Sequence, residues 1–72
     1  MSPVADQERT ERLAEQHRRE IVDAAERLVK GKGLHQLKLR DIAKESGKSL
    51  GNLYNYFQNK EAIIEALVER EK

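Results

Sequence analysis

Ala14, His17, Ile21, Ala24, Ala25 and Leu28 recur at steps of three and four, so the first part of the chain carries one stripe along a long amphipathic helix. Good helix formers fill the region from Asp6 to Lys30, although pairs such as Glu11 with Glu15 form no consistent four-residue charge ladder. Ser2 before Pro3, or Asp6, is a candidate cap for its start, and the first dozen residues are expected to fray. Lys30, Gly31, Lys32 and Gly33 supply the end: cations near the negative pole and glycines able to take the left-handed conformation.

Leu34 and Leu37 bracket a short connector, after which Leu39, Ile42 and Ala43 mark the inner face of a helix of roughly two turns that Gly47 ends. Ser49 is a candidate N-cap for a third helix, with Leu50, Leu53 and Phe57 on one side and Lys48, Gly51 and Asn55 opposite. Asn59 is the next cap, with Glu61 in the first turn and Ala62, Ile63, Ala66 and Leu67 as the stripe of a fourth helix. This pattern predicts an all-α domain: a three-helix, homeodomain-like helix-turn-helix bundle plus the start of a fourth helix. The expected division is an N-terminal extension over 1–12 and a domain over 13–72, with the helix-turn-helix at 39–57. Leu28, Ile42, Leu53 and Phe57 are expected at the centre of the core.

A length of 72 residues allows one small domain, burying about 60% of the surface that its unfolded chain exposes. Without cysteine there is no disulfide and no thiolate metal site, and His17 and His35 lack a second ligand type at metal spacing, so neither metal nor cofactor is expected. No apolar run approaches a membrane span and the N-terminus lacks a signal-peptide core, from which a cytoplasmic protein is expected.

The net charge of +1 says little, but its distribution says more. Residues 38–60 hold five basic side chains (Lys38, Arg40, Lys44, Lys48, Lys60) and two acidic ones (Asp41, Glu45), or +3, whereas residues 61–72 carry −2. Positive charge therefore gathers on the helix-turn-helix, as phosphate contact requires. Ser46, His17, His35 and the carboxylates show no spacing that assembles a nucleophile with a base, so an enzyme is not expected.

From about Arg19 to Leu67, two thirds of its length, the chain resembles the N-terminal DNA-binding domain of the tetracycline repressor (TetR) family. The resemblance rests on Ile21, Ala24 and Ala25, Gly33, the run Asp41 Ile42 Ala43, Gly47 and Ser49. It continues through Gly51, Leu53, Tyr54, Tyr56 and Phe57 to Lys60 and Glu61. It implies a bacterial transcriptional repressor whose third helix enters the major groove of double-stranded DNA, with homodimers spanning a palindromic operator. By position it implies DNA contacts from Lys38, Arg40, Ser49, Leu50, Gly51, Asn52, Tyr54, Asn55, Tyr56 and Lys60. The family's C-terminal domain, which binds inducers and forms the dimer, is absent from these 72 residues, so weak or no dimerisation is expected of this chain alone.

Each implied contact has a physical basis. Arg40, two residues before the inward Ile42, should point outward, where its planar fork suits guanine O6 and N7 together. Lys38 and Lys60 suit phosphate, Lys60 with the amino end of the fourth helix behind it, and Lys44 and Lys48 are auxiliary candidates. Tyr54 and Tyr56 combine an apolar ring with a hydroxyl donor for the sugar-phosphate wall, although core packing is equally open to Tyr56. Gly51 allows close backbone approach, and Asn52 and Asn55 suit either adenine or phosphate. Leu50 has two readings: contact with a thymine methyl, or partial burial.

Two residues depart from the family pattern. Lys38 stands where a threonine or serine often caps helix two, and Lys48 replaces a usually apolar turn residue, which either loosens the turn or aims a cation at the DNA backbone. The competing class is a helical protein-interaction module that does not bind DNA; an outward-facing apolar groove would favour it.

Overall fold

The computed structural model describes residues 3–71, with side chains from Arg9 onward. Helix α1 spans Pro3–Lys32, α2 Leu39–Ser46, α3 Leu50–Tyr54 and α4 Lys60–Arg70, with a 3-10 turn at Leu34–Gln36 between the first two. No strand occurs among the described residues, and the all-α expectation holds. Thirty residues at 1.5 Å each give α1 a length of about 45 Å, matching the 46 Å long axis of the molecule. It runs without a break from Pro3, so Asp6 lies inside the helix and not at its cap; Ser2 lies outside the described residues.

The helix ends follow local chemistry. Gly31 stays helical, and the chain turns at Gly33 (φ 88°), whose N–H donates to the Val29 carbonyl at 2.8 Å. Lys38 precedes α2 without a side-chain cap, as its residue type predicts. At the other end Gly47 takes φ 73°, its N–H donating to Lys44 O and that of Lys48 to Ala43 O, the paired bonds of a Schellman motif. Alanine at Gly47 meets no steric obstacle but must hold the left-handed conformation. Gly47→Ala is therefore expected to cost about 1–2 kcal/mol, read as a shift of the urea midpoint.

Both predicted caps form: Ser49 Oγ accepts the Asn52 N–H at 3.1 Å and Asn59 Oδ1 accepts the Ala62 N–H at 2.9 Å. Helix α3 is shorter than its apolar spacing predicts and stops at Tyr54 instead of reaching Phe57. The N–H groups of Asn55 and Tyr56 bond three residues back, to Asn52 and Leu53, so the last turn tightens and the chain leaves the helix. Asparagines at 52 and 55, weak helix formers, sit at this turn.

Helix α1 packs on both α2 and α4, and α2 on α3. Ile21, Ala24, Ala25, Leu37, Ile42, Ala43, Leu53 and Ile63 form the buried core, with Ile21, Ile42, Leu53 and Ile63 as its largest members. Ala24 and Ala25 are fully buried, as close helix approach demands. The expected centre is corrected at two positions: Leu28 and Phe57 are only partly buried against this cluster. Leu28 lies at the edge of the α1–α2 contact beside Lys32, Asp41 and Lys44, and Phe57 approaches from outside α3 because that helix has ended. Ile63, one turn into α4, takes the central place.

Candidate nucleic-acid interface

The helix-turn-helix exposes most of the residues singled out from the sequence. Lys38 and Arg40 bracket the start of α2, and both are exposed. Ser49, the cap of α3, and Leu50 and Gly51 in its first turn are exposed, and Asn52 is half-buried. Tyr54 is 50% exposed at the end of that helix, and Asn55 is exposed just after it. Lys60 is half-buried as the first residue of α4.

Leu50 is 38% exposed and outside the core cluster, so it is partly covered and still presents an edge at the surface. Gly51 has nothing within 4 Å of where a Cβ would sit, so no internal packing requires a glycine there. Tyr56 is half-buried against the core, its ring tilted on His17 with centroids 5.6 Å apart. Both roles weighed for it therefore meet in one side chain: a ring that packs and an edge left at the surface.

The ion pairs separate the cations into two groups. Arg27 Nε holds Glu45 Oε1 at 3.0 Å, Lys30 pairs with Glu26, and Arg70 Nη1 reaches both Asp23 Oδ1 (2.7 Å) and Glu26 Oε2 (2.9 Å), tying α4 to α1. Lys38, Arg40, Lys44 and Lys60 have no such partner among the described residues. Glu45 is neutralised by Arg27 and Lys48 by Glu20, so the helix-turn-helix keeps the +3 of its residue count, carried by Lys38, Arg40, Lys44 and Lys60 against Asp41.

Lys48 corrects the sequence reading: it is not an auxiliary phosphate ligand. Its side chain is 8% exposed and turned to α1, where Nζ donates to Glu20 Oε2 at 2.8 Å and to His17 Nδ1 at 2.9 Å. Neither a loosened turn nor a cation aimed at DNA results. Lys44 remains exposed, beside Asp41 and Glu45 at the groove edge shared with Leu28 and Lys32. The residues missed from the sequence are Glu20 and Arg70, whose partners are far away in the chain. Only the lysine at a usually apolar turn position hinted at the first.

Two carboxylates are held below the ordinary value of 4.5: Glu20 by its hydrogen bond from Lys48 and then by Gln16, and Glu26 by its hydrogen bond from Arg70 and then by Lys30. A lowered carboxylate pKa adds stability that is complete above the unfolded value and lost as pH falls through the folded one. Stability is accordingly expected to decline below about pH 4.5, and Glu20→Gln with Glu26→Gln to flatten that decline in acid titrations followed by circular dichroism. No group of three or more potential metal ligands and no helix long and apolar enough to cross a membrane occurs among the described residues.

Residues 21–67 match the family described as bacterial regulatory proteins, tetR family. The chain is 40% identical over 58 residues to an uncharacterized HTH-type transcriptional regulator of Haemophilus influenzae, covering 81% of this chain and 29% of that protein. It is 36% identical over 61 residues to the HTH-type transcriptional regulator TtgR of Pseudomonas putida, covering 85% and 29%. Over 48 residues it is 42% identical to the fatty acid metabolism regulator protein of Bacillus subtilis, covering 67% and 25%. The chain thus spans less than a third of the length of these relatives. No solved structure matches it significantly. With its helix-turn-helix geometry and its matched span, the chain belongs to the tetR family of bacterial regulatory proteins, in which this domain binds DNA.

Proposed function

We propose that the chain is the sequence-reading module of a bacterial transcriptional repressor, with α3 in the major groove of double-stranded DNA. The observation that carries this reading is the set of unpaired cations, Lys38, Arg40 and Lys60, around an exposed helix start made of Ser49, Leu50 and Gly51. Arg40 reads a guanine and Leu50 meets a thymine methyl. Asn52 and Asn55 are the polar readers, and Tyr54 and Tyr56 donate hydroxyls to phosphate. Lys38 and Lys60 contact phosphate, and the first N–H groups of α4 lie beside Lys60, one donor there already taken by Asn59.

A single module contacts a half-site, and tight binding requires two modules one helical turn apart on a palindromic operator. Two phosphate-facing cations, Lys38 and Lys60, predict that log Kd changes with log salt at a slope of about 1.8, and Lys60→Ala should reduce it by about 0.9. Titration of duplex DNA at several salt concentrations measures both numbers; a folded protein that binds no DNA at low salt would exclude the reading.

One observation favours the interaction-module alternative. An apolar groove between α1 and α4, lined by Val29, Leu34, Ile64, Leu67 and Val68, faces outward. It is lined from α1, the 3-10 turn at Leu34 and α4, apart from α2 and α3, and so does not compete with DNA for the same residues. Sedimentation of the chain with and without duplex separates the two readings, since self-association without any DNA binding would favour the alternative.

A further inference from the structure

In a Schellman motif the residue after the left-handed glycine ordinarily packs an apolar side chain back on the helix it ends. Here that residue is Lys48, and its ammonium crosses to α1 to meet Glu20 and His17. An ammonium donates three hydrogen bonds and accepts none, so His17 Nδ1 is the acceptor and the imidazole is neutral, with its proton on Nε2. Gln16 Nε2 donates to the other Glu20 oxygen at 3.2 Å, which orients the carboxylate. The His17 ring also packs against Tyr56, with centroids 5.6 Å apart. Lys48 immediately precedes the α3 cap, Ser49, and Tyr56 follows the end of α3, so the cluster fastens both ends of the recognition segment to α1.

We propose that Glu20, Lys48, His17 and Tyr56 form a proton-sensitive clasp that positions α3 and Tyr56 for DNA, and that protonation of His17 releases it; this rests on the DNA-binding reading above. A proton on Nδ1 removes the acceptor and places a second cation 2.9 Å from the first. One carboxylate then serves both, since Glu20 Oε2 lies 3.8 Å from Nδ1 and 2.8 Å from the ammonium. The charged and titratable groups placed against the imidazole are Glu20 on its own helix, Lys48 at the turn and the Tyr56 phenol after α3. None of them supplies a second acceptor in the place of Nδ1. The charge of Lys48 is thus spent inside the fold, and the three partners are positioning residues.

The test compares wild type, His17→Gln and Lys48→Met in binding to a duplex that the wild-type chain selects from random sequence. Affinity is measured from about pH 7.5 to about pH 5.5, the interval in which histidine changes charge, with circular dichroism to verify folding. Across it, wild type is expected to lose about fivefold relative to His17→Gln, the loss of one charge-assisted hydrogen bond in a half-exposed site. Lys48→Met should bind about fivefold more weakly at the upper pH, with an unchanged salt slope because no phosphate contact is removed. Nitrogen chemical shifts of His17 in DNA-free protein should show the Nε2–H tautomer in wild type and a mixture in Lys48→Met. A salt slope reduced by about one in Lys48→Met, parallel pH profiles of wild type and His17→Gln, or a mixed tautomer in wild type would each overturn the proposal. If wild type binds no duplex, the DNA reading fails while the nitrogen shifts still decide whether the clasp exists. Glu20→Gln, at a half-exposed position, replaces Lys48→Met if the latter does not fold.

Discussion

Leu53→Ala should lower stability by about 3 kcal/mol and the thermal midpoint by about 15 °C. Leu53 is fully buried among Ile21, Ile42 and Ile63, and it is the only buried side chain of α3. Its removal opens a cavity in the core cluster where Ile21, Ile42 and Ile63 meet. A chain of 72 residues holds a total stability of only about 4–11 kcal/mol, so the loss is a large share of what it has. Leu28→Ala is the control: Leu28 is partly buried at the rim and should cost about 1 kcal/mol. Thermal melts of both variants by circular dichroism give the comparison, and equal losses would mean that the core is centred on Leu28 after all.

Arg40→Ala should weaken binding to the selected duplex tenfold to a hundredfold, about 1–3 kcal/mol, and relax preference at a single base position. The guanidinium is exposed at the first turn of α2, and no hydrogen bond or ion pair within the described residues occupies it. Arg40→Lys should not restore the preference, because an ammonium cannot make the paired contact to guanine O6 and N7. Arg27→Ala serves as the comparison, since that arginine is engaged with Glu45 and its exposed pair is worth at most about 1 kcal/mol to folding. Binding of each variant to the duplex and to its single-base substitutions reads both quantities. If Arg40→Ala weakened all sequences alike and lowered the salt slope, Arg40 would be a phosphate contact and the reader would lie elsewhere, Asn52 or Asn55 being next in line.

The elements were legible in the sequence wherever a short stretch of chain carries its own signal. The stripe through Ile21, Ala24 and Ala25, the glycine at 47, and the caps Ser49 and Asn59 all act within four residues, and all behave in the structure as their residue types dictate. The all-α fold and the membership of the tetR family follow from those signals, and most of the candidate DNA-facing residues lie exposed where the spacing of α2 and α3 places them. The end of α3 was less legible, because Leu50, Leu53 and Phe57 keep helical spacing although the backbone leaves the helix after Tyr54.

What only the tertiary structure decided are the contacts between residues far apart in the chain. Lys48 meets His17 across 31 positions and Arg70 meets Asp23 across 47, and no local pattern specifies either pair. Burial follows the same division. Periodicity says which face of a helix is apolar, but the crossing of α1 with α2 and α4 decides that Ile63 lies at the centre while Leu28 and Phe57 lie at the rim. By itself the sequence determined the elements, their caps and the family, because those depend on neighbours along the chain. The partner of each charge, and hence which cations remain free for DNA, was decided by folding, because an ion pair depends on distance in space.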